Sequence, residues 1–263
     1  MRGTTWLARI AVLVFCFAAT CAAQELTVAA ASDLQFAFQD VAARFQKETG
    51  HTVKLIFGSS GNFFTQIQNG APFDIFFSAD IDYPKKLEAA GLTEPGTLYP
   101  YATGRIVLWA PRETKLDLSS GLPVLLDPSI KKIAIANPEH APYGRAAVAA
   151  LQREGIYSQV AGKFVLGENI SQTASFVMSG GADVGIVALS LALSPSMKEK
   201  GKYQEIPASD YPALQQAAVV LKTSRQKDLA GLFLNYLKTP PILELLQNYG
   251  FAVPSLPAPP RIP

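Results

Sequence analysis

Strand-type and helix-type runs alternate along this chain, and that alternation restricts the fold more than any other feature. Residues 26–30 form a short β-type run. Leu34, Phe38, Val41 and Phe45 follow at i, i+4, i+7 and i+11, which is one apolar helix face closed by Gly50. A strand at 53–57 precedes a helix ending near Gly70, and a strand at 73–77 precedes a helix over 83–90 stopped by Gly91. A β-α-β-α-β order calls for a parallel sheet with helices packed on its faces. The pattern then restarts, with strands at 105–110, 132–136, 164–166 and 183–187 and helices at 143–153 and 171–179. A further strand at 217–221 leads to a helical stripe of Leu229, Leu232, Phe233, Tyr236 and Leu237. Pro240 and Pro241 break it before a last helix over 242–249. Two such α/β units are either two consecutive domains or two lobes between which the chain crosses, and periodicity does not choose. No repeat of fixed period is present.

The opening MRGTTWLARIAVLVFCFAATCAAQ sets Arg2 and Arg9 before an apolar run at 10–19 and ends on small residues at Cys21 and Ala23. This is the form of a secretory signal peptide over 1–23. The apolar run is too short and too unevenly flanked for a membrane span. Ala18-Ala19-Thr20 before Cys21 is a poor lipobox, so a lipid-anchored form is not expected. Both cysteines, Cys16 and Cys21, lie inside the leader. The remainder then has neither a disulfide nor a thiolate metal site and relies on its core. Without Arg2 and Arg9 the 23 basic residues become 21 against 21 acidic ones. Near-zero net charge with no basic stripe argues against nucleic acid or an acidic membrane surface as partner. The proline-rich end, 253–263, is expected to be a loose tail.

Enzyme templates fit poorly. Gly58-Ser59-Ser60-Gly61 misses the G-x-S-x-G spacing of a hydrolase elbow. His51 and His140 are the only imidazoles; His51 reads as an exposed turn residue, and no acid partner for His140 in NPEHAPYG is evident. Phosphate-binding glycine motifs are missing, GGADVG at 180–185 reads as a helix stop, and the acidic residues do not cluster as metal ligands. One local event does recur: a strand ends, small or hydroxyl residues follow, and a helix begins. It occurs at AAASD (29–33), FGSSGN (57–62), NPEHAPYG (137–144) and GENIS (167–171). Each helix start leaves unpaired N–H groups at the positive end of a dipole. In parallel α/β sheets such starts gather where ligands bind, and together they make an anion site without Lys or Arg. Any one of these serines is equally an ordinary cap or turn residue, so the argument rests on the set.

The ordered series LTVAAASDLQFAFQDVAARFQKETG, FGSSGNFFTQIQNGAPFDIFFSAD, NPEHAPYGRAAVAALQ, ENI, GIVALS and LKTPPILELLQNYGF resembles the periplasmic molybdate-binding proteins of ABC importers, from about residue 25 to 251. The resemblance implies a type II, two-lobed periplasmic-binding-protein-like α/β fold with a mainly parallel sheet in each lobe and the ligand cleft between them. Lobe 1 would hold 24–103 plus 220–263 and lobe 2 104–219, with hinges near Thr103-Gly104 and Ala218. The implied ligand is molybdate or tungstate, held by the hydroxyls of Ser32 and Ser60 and the backbone N–H groups of Tyr143 and Ile170. These are oxyanion contacts, with no direct metal ligand, no cofactor and no catalytic residue. Ser59 and Gly61 flank the site. Asp33 is expected to offer only its N–H, with its carboxylate turned away. Ala188 stands where some members have a Tyr whose hydroxyl donates to the ligand, and Tyr143 is expected to substitute for it. The implied partner is the importer's membrane permease, and the implied state a periplasmic monomer that binds no nucleic acid. Three alternatives remain: a binding protein for another, sulfate-like oxyanion; a secreted serine hydrolase using Ser60 with His140; and a sensor or scaffold lobe that binds no small anion.

Overall fold

A computed structural model describes residues 25–254. The leader at 1–23 and the tail from 255 onward lie outside the described residues. In chain order the elements are β1 (Glu25–Ala31), α1 (Gln35–Thr49), β2 (Thr52–Gly58), α2 (Ser60–Gln68), β3 (Ile75–Ser78), α3 (Asp82–Ala89), β4 (Tyr99–Gly104) and β5 (Ile106–Pro111). Next come β6 (Ile133–Ala136), α4 (Pro142–Arg153), α5 (Tyr157–Val160), β7 (Phe164–Gly167), α6 (Ile170–Met178), β8 (Val184–Ala188) and α7 (Leu189–Ala192). The chain ends through β9 (Gly201–Glu205), β10 (Leu214–Val220), α8 (Lys227–Tyr236) and α9 (Pro240–Asn248).

Two five-stranded sheets result, ordered β2-β1-β3-β10-β4 and β7-β6-β8-β5-β9. In each, three neighbouring strands run parallel and the fourth is antiparallel to both its neighbours. The sheets are therefore mixed, because each receives one strand from a crossing between lobes. The first crossing is the step from β4 to β5 through Arg105, and the second runs from β9 to β10. All of β10 belongs to the first sheet, so the chain is back in lobe 1 by Leu214, earlier than the expected 220.

Alternation along the strands sorts the core of the first lobe. Val28, Ala30 and Phe77 face one layer with Phe38, Phe45, Phe233 and Leu246, while Ala29 and Phe76 face the other with Phe63, Ile67 and Leu87. Phe38 meets Phe77 edge to face at 4.8 Å. Burial of each such ring contributes about 2–3 kcal/mol. Buried on both faces, β1 reads as a nearly continuous apolar run, as central parallel strands do. The second lobe has its own core around Trp109, Leu108, Ile135 and Val187. The start of the expected loose tail is tied down: Ala252 exchanges both backbone hydrogen bonds with Thr103, at 2.7 and 3.0 Å, and Val253 packs on the first core. Among the described residues no helix is long and apolar enough to cross a membrane.

Candidate functional site

The helix starts singled out in the sequence follow β1, β2, β6 and β7, two from each lobe, and they meet. Ala31, Ser32, Asp33, Gly58, Ser59 and Ser60 from lobe 1 close with Ala141, Pro142, Tyr143 and Ile170 from lobe 2 around a cup whose water-accessible space is about 10 Å³. A space of this order admits only a very small group, far below the roughly 300–1,000 Å³ of organic-ligand sites. Ser32, Asp33, Ser59, Ser60, Tyr143 and Ile170, all marked in the sequence, line it; Gly61 does not. Among the described residues no Lys or Arg lines it. A larger cleft beside the cup contains Asp80 and Arg145, but these pair with each other at 2.6 Å.

The hydrogen-bond pattern separates the serines. Ser60 Oγ accepts the Ala79 N–H at 2.9 Å, and Ser32 Oγ accepts the Ser171 N–H at 3.3 Å. A hydroxyl used as acceptor keeps its proton for another partner, and both residues line the cup. Ser59 Oγ caps α2 through the Asn62 N–H at 3.4 Å and lies 2.9 Å from His140 Nδ1. His140 Nε2 is 3.5 Å from the Glu168 carboxylate. With the Nε2 proton turned to that carboxylate, Nδ1 accepts the proton of Ser59, which draws this hydroxyl away from the cup. The structure thus supplies an acid partner for His140 that the sequence did not reveal, but it joins His140 to Ser59. Ser60, the nucleophile of the hydrolase alternative, makes no hydrogen bond to His140.

Backbone donors divide in the same way. In the first turns of α2 and α6, Gly61 N–H donates to His140 O at 2.9 Å, and Gln172 N–H to Asn169 Oδ1 at 3.0 Å. The first-turn N–H groups of Ser60, Tyr143 and Ile170 have no acceptor inside their own helices, and these residues line the cup. Gly61 therefore serves the lobe contact rather than the cup: a Cβ there would lie 2.6 Å from His140 O.

Two of the expected site residues are tied into a buried network. Asp33, expected to turn its carboxylate away from the ligand, is 1% exposed. Its Oδ2 accepts from Gln216 Nε2 at 2.7 Å and from the Tyr143 hydroxyl at 2.9 Å. Burial pushes this carboxyl up from 3.8 to about 6, against the lowering effect of those two donors. Tyr143 was expected to aim its hydroxyl at the ligand in place of the residue missing at Ala188. The hydroxyl donates to Asp33 instead, because a buried carboxylate needs donors. Ala188 is fully buried at the end of β8 and does not line the cup.

Gln216 and Tyr101 complete this network and were missed in the sequence. Tyr101 donates to Gln216 Oε1 at 2.7 Å, which turns Nε2 toward Asp33 and Tyr143. The available signal was a Gln inside the apolar run of β10, fully buried here. Gly104 allows the approach, since a Cβ there would collide with the Tyr143 hydroxyl and Gln216 Nε2. His51, half-buried just before β2, takes no part. No group of three metal-ligating side chains occurs among the described residues.

Two mixed-sheet lobes closing on a small cup lined without Lys or Arg describe a class of protein that holds a solute between its halves. Residues 26–252 match the model of the bacterial extracellular solute-binding proteins, and the chain belongs to that family. Within it, the chain is 39% identical over 249 residues to the molybdate-binding protein ModA of Rhodobacter capsulatus, covering 95% of each. It is 37% identical over 249 residues to ModA of Azotobacter vinelandii, covering 94% of this chain and 98% of that one. The solved structure of the Azotobacter vinelandii periplasmic molybdate-binding protein matches with a TM-score of 0.83 at 34% identity, covering 88% of this chain and all of that one.

Proposed function

We propose that the chain is a periplasmic solute-binding protein that captures molybdate, and tungstate with it, and delivers the ion to the membrane permease of an ABC importer. The observation that carries this reading is the convergence of helix starts from both lobes on one small cup with hydroxyl and amide donors and no cation. The names of the relatives support the same ligand. Ser32 and Ser60 donate hydroxyl protons, while Ser60, Asp33, Tyr143 and Ile170 offer backbone N–H groups to the oxyanion; none bonds the metal atom. Ser59 shapes the turn and holds His140. About four to seven hydrogen bonds to a charged ligand, at roughly 1.5–3 kcal/mol each, reach roughly micromolar to nanomolar affinity after ordering costs.

Fixed neutral donors match the shape and protonation state of a tetrahedral dianion, and cup size separates molybdate and tungstate from smaller sulfate. Closure is fastened by bonds between lobes: Ser171 Oγ to Ser32 O at 2.8 Å, Ser190 Oγ to Asp33 O at 2.7 Å, Tyr143 to Asp33, and Arg145 to Asp80. Motion at the two crossings would open the cup, and the closed shape is what the permease reads. The protein acts as a monomer, reaches the periplasm through the leader at 1–23, and catalyses no reaction. Isothermal calorimetry with molybdate, tungstate and sulfate tests the reading. Nanomolar binding of the first two with no sulfate heat is expected, and tight sulfate binding overturns it. Turnover of a chromogenic ester that is lost in His140→Ala would overturn the non-enzymatic part.

A further inference from the structure

Among the described residues Asp33 is the only acidic side chain lining the cup, and its two oxygens are placed differently. Oδ2 takes both protein donors, from Gln216 and Tyr143. Oδ1 is buried and meets no donor. A carboxylate can only accept hydrogen bonds, and so can a fully ionised oxyanion. Held together where water is excluded, two acceptors repel unless a proton lies between them.

We infer that the cup takes up its oxyanion together with one proton, which the Asp33 carboxyl holds on Oδ1 and donates to a ligand oxygen. The inference rests on the oxyanion-binding reading and specifies its site further: the bound species is a dianion plus a proton drawn from solvent, and no bond to the metal atom forms or breaks.

The surroundings leave Asp33 as the group that titrates. Tyr143 of α4 and Tyr101 of β4 are the ionisable neighbours, and burial together with the Asp33 charge pushes both hydroxyls well above their usual range. Gln216 of β10, Ser190 of α7, Ser171 of α6 and the Gly58 end of β2 are neutral. Among the described residues no Lys, Arg or His bonds or pairs with the carboxyl; Arg145 is held by Asp80, Arg105 by Glu205, and His140 by Ser59 and Glu168. Burial, partly offset by the hydrogen bonds from Gln216 and Tyr143, brings the carboxyl to about 6, and an adjacent dianion raises it further. Proton uptake on binding is thus complete above that value, and affinity falls as pH rises through it.

The test is calorimetry of the purified chain with sodium molybdate at about pH 6, 7 and 8, in buffers of different ionisation enthalpy. At the top of this range the expected uptake is about one proton per molybdate, with Kd rising by up to about tenfold per pH unit. Asp33→Asn keeps an acceptor for Gln216 and Tyr143 and sets a permanent N–H donor toward the ligand. Its affinity should be flat over this range and exceed that of the parent at the alkaline end. Because uptake is measured on the unaltered chain, the test survives a variant that does not fold. Binding with no proton uptake and a flat profile overturns the inference alone, as does an Asp33→Asn profile as steep as the parent's. Absence of molybdate binding at every pH overturns it together with the function proposed above.

Discussion

The two lobes meet the cup in different ways. Lobe 1 brings side chains whose hydroxyl protons have no protein acceptor, Ser32 and Ser60, together with the Asp33 carboxyl. Lobe 2 brings first-turn amides at Tyr143 and Ile170, and directs its polar side chains across the gap: the Tyr143 hydroxyl to Asp33, Ser171 to Ser32, His140 to Ser59, and Arg145 to Asp80. On the proposed function, one lobe would contact the ligand largely through replaceable side chains, and the other through backbone that substitution cannot remove. Truncations in lobe 1 should strike affinity directly. Truncations in lobe 2 should act through closure.

The largest effect should come from Ser60→Ala. It removes a hydroxyl donor facing a buried charge and strands the Ala79 N–H that Ser60 now satisfies. A loss of up to about 3 kcal/mol in molybdate affinity is expected, read by calorimetry. Unchanged affinity would remove Ser60 from the site and weaken the contrast between lobes. Next is the stability cost of Asp33. Its carboxyl is raised in the folded protein, from 3.8 to about 6. Between these values the folded state binds the proton that the unfolded state has lost, so stability falls as pH rises through the window and levels off above about 6. The cost above that pH is about 2–3 kcal/mol. Urea unfolding should find Asp33→Asn no more stable than the parent near the low end of the window and more stable by about that amount at neutral pH. A constant difference across the window would contradict the assignment.

This contrast also explains what could be read from sequence. The strand–turn–helix starts at Ser32, Ser60, Tyr143 and Ile170 were legible because each is local: a strand ends, small residues turn, and a helix begins within a few positions. Their convergence depends on sheet order, yet it followed from the general placement of such starts at the carboxyl edge of parallel strands. The Asp33–Tyr143–Gln216–Tyr101 network was not legible. It joins four distant segments across both lobes, and each member looks ordinary in its own stretch. Gln215 and Gln216 also disguised the beginning of β10, because a polar pair inside an apolar run reads as a loop until the amide is seen to be buried and bonded. The edge strands β4 and β9 were missed for a related reason. YPYATG and GKYQE are too polar and too interrupted to stand out, and each has one neighbouring strand in its sheet.

Tyr143→Phe tests the lobe 2 half of the comparison. The backbone N–H at the cup survives, while the hydroxyl that ties α4 to Asp33 is lost. An affinity loss of about 1 kcal/mol is expected, the net value of one hydrogen bond. It should appear as faster release, because a closed state with fewer fasteners reopens more often. A much larger loss would mean that the hydroxyl contacts the ligand itself.

The smallest effect should follow Arg145→Ala. Its guanidinium lies 2.6 Å from Asp80, donates to the Tyr83 hydroxyl at 3.2 Å and stacks over the Tyr83 ring at 5.6 Å, all across the lobe boundary. Geometry alone suggests a strong latch. Exposure argues otherwise: the arginine side chain is 39% and the aspartate 27% accessible, so water and salt screen the pair. Exposed pairs of this kind contribute about 0–1 kcal/mol. Molybdate affinity should drop by less than about fivefold on this substitution, and added salt should erase most of the difference between variant and parent. The Ser60→Ala deficit, arising inside a cup closed to solvent, should persist in the same salt. If salt erased both deficits equally, the distinction between a lobe that binds and a lobe that fastens would fail.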